Sequence, residues 1–111
     1  MKKVSIVLAG LLFVTNYSFA EDHSMTALDQ ANLAIKEGSA GNASNLVKYA
    51  SRALDKTLAN SLTAKGATKT RLEEAATELQ HAIDHGNLGH PGEATTHTKT
   101  AAWHLKAANG K

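Results

Sequence analysis

The segment Ala34-Ile35-Lys36-Glu37-Gly38-Ser39-Ala40-Gly41 returns later in the chain as Ala82-Ile83-Asp84-His85-Gly86-Asn87-Leu88-Gly89, an offset of 48 residues. Each copy has the pattern of a helix running into a Gly-x-x-Gly turn, with a second helical stretch after it. A helix-turn-helix unit carries an apolar stripe that it cannot bury alone. Two such hairpins pair most simply into an up-down-up-down four-helix bundle. An all-α fold is expected, since no period-2 alternation is sustained and the chain contains a single proline.

The periodicity places the first helix at about residues 25–37, with Ser24 as its N-cap, Gly38 as its stop and Leu28, Ala31 and Ile35 facing inward. Asn42 caps a second helix whose inward positions are Leu46, Ala50, Ala53, Leu54 and Leu58, fading over 62–66. The third is expected near Thr70, where Thr70-Arg71-Leu72-Glu73 has the form of a capping box. Its apolar side is Leu72, Ala75, Ala76, Leu79 and Ile83, and Gly86 ends it. Pro91 suits the first turn of a fourth helix with Ala94, Thr98, Ala101, Leu105 and Ala108 inward. Alanine is plentiful and large aliphatics are sparse, so the core is thin. Without cysteine there are no disulfides to support it. A metal bound only by the folded state would add stability by mass action.

Residues 1–20 read as a cleaved signal peptide ahead of one domain, residues 21–111. Lys2 and Lys3 precede an apolar run over 4–14, and Ser18-Phe19-Ala20 supplies small residues for cleavage. The run is shorter than the about 20 residues a spanning helix needs, so no membrane association is expected after cleavage. A periplasmic or secreted location follows. Two of the 12 basic residues leave with the leader, and 10 then balance 10 acidic ones. A near-neutral mature chain with no basic patch interleaved with aromatic rings is not expected to bind nucleic acid.

Histidine carries the chemistry. Five of the six lie in the C-terminal third, at His81, His85, His90, His97 and His104. Glu74, Glu78, His81 and His85 follow the spacing i, i+4, i+7, i+11, one sector of a helix, largely opposite the Leu72/Leu79/Ile83 stripe and expected to be exposed. His81 and His85 can chelate one ion through two imidazoles. Counted back from the turn, His97 is expected level with Glu78 and His81, with His104 one to two turns beyond. A thiol-free set of imidazoles and carboxylates suits Cu(II) foremost, with Ni(II) and Zn(II) as further candidates. Such ligands bind deprotonated, so affinity should fall as the solution is acidified through about pH 6.5, the ordinary imidazole range. Cleavage after Ala20 would also expose Glu21-Asp22-His23. The free amine, two backbone nitrogens and the His23 imidazole can then wrap one Cu(II) in a plane of four nitrogens.

The stretch Leu79-Gln80-His81-Ala82-Ile83-Asp84-His85-Gly86-Asn87-Leu88-Gly89-His90, continuing to Ala94-Thr95-Thr96-His97 and His104-Leu105-Lys106, resembles the small metal-binding protein (SmbP-like) family. The resemblance implies an exported, histidine-rich four-helix bundle that binds several divalent metals, copper prominently, and buffers or scavenges them in the periplasm. It also implies ligand roles for His81, His85, His90, His97 and His104. Leu33, Glu37, Asn42, Tyr49 and Lys56 stand in the first hairpin where such proteins tend to be histidine-rich, so fewer ions are expected, held by the C-terminal half and the N-terminus.

Two other readings compete. A haem-b electron carrier would use Met25 and His104 as axial ligands, whereas c-type attachment lacks its Cys-x-x-Cys-His motif. A structural or stress-related bundle would carry incidental histidines. An enzyme is not expected, for there is no nucleophile–base arrangement and no phosphate-binding glycine loop. Trp103 points away from the apolar stripe, and the sequence offers no role for it.

Overall fold

The computed structural model describes residues 25–110. The signal segment, the Ser24 cap and the Glu21-Asp22-His23 chelate lie outside the described residues. Four helices make up the rest: α1 (Ala27–Ser39), α2 (Ala43–Ser61), α3 (Gly66–Asn87) and α4 (Pro91–Gly110). Each packs against its neighbour in sequence, and α1 packs against α4, closing a four-helix bundle. No strand occurs among the described residues.

The two Gly-x-x-Gly turns are built alike. The Asn42 amide donates to the Glu37 carbonyl at 2.9 Å and that of Gly41 to Gly38 at 2.9 Å. Forty-eight residues on, His90 donates to His85 at 2.9 Å and Gly89 to Gly86 at 3.0 Å. This paired bonding is the Schellman motif, which needs a left-handed residue just past the helix end. Gly41 and Gly89 supply it with φ of 84° and 79°. Asn42 then caps α2 by accepting from the Asn45 amide at 3.1 Å, and the His90 carbonyl accepts the Ala94 amide at 3.0 Å to begin α4.

Helix starts and inward faces depart from the periodicity in instructive ways. The capping box of α1 is Thr26 with Asp29, which exchange backbone-to-side-chain bonds of 3.0 and 3.1 Å, so α1 begins two residues later than expected. The expected box at Thr70 does not form, because α3 starts a full turn earlier at Gly66. Lys69 in that extra turn donates to the Ser61 carbonyl at 2.8 Å, tying α3 to the orphan end of α2. The innermost residues of α1 are Ala27, Gln30, Ala31, Ala34 and Gly38, with Leu28 and Ile35 half-buried on the flanks. On α2, Thr57 is buried while Leu58 is 48% exposed. On α3, Ala82 and Gly86 are buried and Ile83 packs from the side. Small side chains take the helix contact lines because they let the backbones approach, and larger ones cover the seams.

Threonine can share that interior because its hydroxyl is satisfied within its own helix. Thr57 donates to the Ala53 carbonyl at 2.7 Å and Thr98 to that of Ala94 at 2.8 Å. Gly38 and Gly86 mark the tightest approach. A methyl on Gly38 would overlap Thr95 Oγ1 and meet Leu46 Cδ1 at 2.5 Å, and one on Gly86 would meet Val47 Cγ2 at 2.5 Å. Gly92, also helical, has nothing within 4 Å of a built Cβ.

These environments separate three alanine substitutions. Gly38→Ala and Gly86→Ala should each destabilise by about 1–3 kcal/mol through overpacking. Gly92→Ala should be neutral or stabilising by less than about 1 kcal/mol through helix propensity. Thermal melts of the three variants followed by circular dichroism check the order.

Candidate metal centre

The Glu/His sector of α3 lies along the seam with α4, where Glu74 and His81 are exposed as expected from the helical wheel and Glu78 and His85 are not. Glu74 meets His104, Glu78 meets His97, and His85 meets Glu93. Partner numbers on α4 fall as those on α3 rise, so the two helices run antiparallel and pair level by level. The wheel missed this because α3 has helices on two sides. Its apolar stripe faces the core, and the polar sector beside that stripe is half covered by α4. Among the sector's residues His81 is the most open of the imidazoles, and Glu78 and His85 are half-buried.

Two groups of potential ligands result, each of two imidazoles and one carboxylate. Glu78, His81 and His97 form one, and His85, His90 and Glu93 form the other. Within each group one ligand atom per residue lies within 4.8 Å of the others. Modest side-chain rotations would bring them to the roughly 2.0–2.2 Å bonds of a first-row divalent ion. The first group joins α3 to α4. The second is placed by the turn, since His85 and His90 are the residues whose backbones close the Schellman motif and Glu93 lies in the first turn of α4.

The histidines meet carboxylates through the same ring atom. His97 Nδ1 lies 2.8 Å from Glu78 Oε1, and His90 Nδ1 3.2 Å from Glu93 Oε1. The first is a hydrogen bond that holds the His97 ring beside Glu78, and an ion bound by both residues would replace the proton they share. His85 Nδ1 and His104 Nδ1 are buried and have carboxylate oxygens at 3.4 and 3.3 Å, but outside hydrogen-bond geometry. His85 therefore carries unused ligand capacity, a fit for a cation at the turn. The rings also touch in sequence along the seam: His81 edges onto His97 at 5.2 Å between centroids, His97 stacks on His85 at 5.2 Å, and His85 lies 5.8 Å from His90.

His104 stands apart from both groups. Its side chain is 15% exposed and shares Glu74 Oε1 with the Arg71 guanidinium, which lies 3.3 Å from the same oxygen. Arg71 also sits over the Trp103 ring at 5.1 Å, and Trp103 meets the His104 ring edge-on. Trp103, 58% exposed, thus packs as a lid on an Arg71–Glu74–His104 cluster whose carboxylate already has a cation. The two residues considered as haem ligands have separate engagements, His104 here and Met25 Sδ with Gln30 Nε2 at 3.6 Å.

Sequence reasoning missed Glu93 and Arg71. Glu93 carried a usable signal, three residues beyond His90 and in a helical first turn, where an acidic side chain is favoured and an i, i+3 partner is reached. Arg71 carried the same i, i+3 signal toward Glu74, whereas its place over Trp103 depends on another helix. Glu78→Gln should weaken divalent binding at the first group by at least about tenfold, because the set loses its one anionic ligand, with unchanged helicity. Isothermal titration beside circular dichroism checks both halves of that expectation.

Comparison with curated proteins and with solved structures found no match to either. None of the described helices is long and apolar enough to cross a membrane. The family model described as small metal-binding protein matches residues 1–108, nearly the whole chain, and includes both imidazole–carboxylate groups. The chain belongs to the small metal-binding protein family.

Proposed function

We propose that this protein is an exported buffer or carrier for Cu(II) and other divalent ions, acting by reversible binding and not by catalysis. The observation that carries the reading is the pairing of Glu78/His81/His97 with His85/His90/Glu93 along one seam. Each set offers three ligands and leaves coordination positions open to solvent, which suits exchange better than permanent storage. Nitrogen-rich ligation favours copper over nickel and zinc in the divalent series. The fold behind it is read as two repeated hairpins, up-down-up-down, following a leader removed after Ala20. The basic start, the short apolar run and the small residues before Glu21 support export to the periplasm or medium. On that processed chain the Glu21 amine and His23 supply a further copper chelate that needs no fold.

Calorimetric titration of the secreted protein at neutral pH should give affinities in the order Cu(II), then Ni(II) and Zn(II). Replacing His81, His85, His90 and His97 together by alanine should remove all but the ion held through His23. Flat Cu(II) and Ni(II) isotherms, or unchanged stoichiometry in the fourfold variant, would rule the reading out. Intact-mass measurement should find Glu21 as the first residue, and any other start removes the N-terminal chelate.

A further inference from the structure

The two ligand sets are not separated by protein. His97 of one and His85 of the other stack with ring planes 11° apart and centroids 5.2 Å apart. No aliphatic layer stands between those rings, and both sets open along the same α3–α4 seam. A nitrogen-bound ion lies roughly 3 Å from the centre of its ring, so ions on the two sets would lie within about 12 Å of one another. We propose that Glu78/His81/His97 and His85/His90/Glu93 form one paired site, in which two divalent ions bind across the His85–His97 stack and the second binds more weakly. The proposal rests on the metal-binding reading above and adds that the two sets are coupled.

The sign follows from charge. Two doubly charged ions about 10 Å apart in a water-like dielectric repel enough to lower the second affinity on the order of tenfold. Each set contains one carboxylate, which offsets half of its own ion's charge and cuts the repulsion to about a quarter, so the second affinity falls about twofold.

The test uses the secreted chain carrying His23→Ala, which silences the N-terminal chelate, loaded with one and then two equivalents of Cu(II). Electron paramagnetic resonance should show sharp isolated lines at one equivalent. At two equivalents dipolar broadening and a half-field transition should appear, with the second equivalent binding about twofold more weakly in parallel titration. His90→Ala combined with Glu93→Gln alters only exposed side chains and dismantles the turn set. That variant should bind the first equivalent, lose the second step and keep the sharp spectrum. Two bound ions with unbroadened lines would overturn the pairing while leaving metal binding intact, as would broadening that persists in the double variant. Failure to bind any copper would sink the functional reading and the pairing together.

Discussion

Leu46 packs where a Cβ would stand on both Gly38 and Gly86, one from each copy of the repeated segment, at 2.5 and 3.5 Å, and Val47 stands nearer to the second at 2.5 Å. Leu46 is fully buried, and among the fully buried residues it is one of the largest. The two turns therefore close around a single side chain at the same end of the bundle. Alanine and self-satisfied threonine continue the close contact along the helices, so a thin apolar interior can still be tightly filled. With little large aliphatic surface to bury, contact distance matters more here than residue hydrophobicity.

The register of α3 against α4 makes the chemistry. Glu78 reaches His97, and Glu93 reaches His85 and His90, only because the helices run antiparallel in this alignment. A slip of one residue would turn each helix about 100° and part the ligands. The same seam half-buries the rings, which fixes their direction and keeps an edge open to solvent. At the far end, Arg71 supplies a cation to the Glu74–His104 pair.

Much of this was legible in the residues. Four helices, the Asn42 cap, the paired Gly-x-x-Gly turns and the inward line of α4 followed from periodicity, from glycine at positions with positive φ and from proline at a helix start. The level of His97 beside Glu78 and His81 followed from counting away from the turn. Less legible were the start of α3, which moved to Gly66 when Lys69 found the Ser61 carbonyl, and the inner face of α1, where Gln30 and Ala34 displaced Leu28 and Ile35. Hydrophobicity ranks side chains by their cost in water, whereas the interface selected them by how near two backbones can come.

The sequence alone determined which residues could be ligands and which face of each helix they occupy, because helical spacing and turn conformation are local properties of the backbone. Only the tertiary structure decided which ligands meet. It joined Glu93 to His85, set His104 beside Glu74, and laid His85 against His97, since each of these depends on distances between helices. Local bonding can specify a stripe of imidazoles, but a set of three ligands from two helices exists only after packing brings the helices into register.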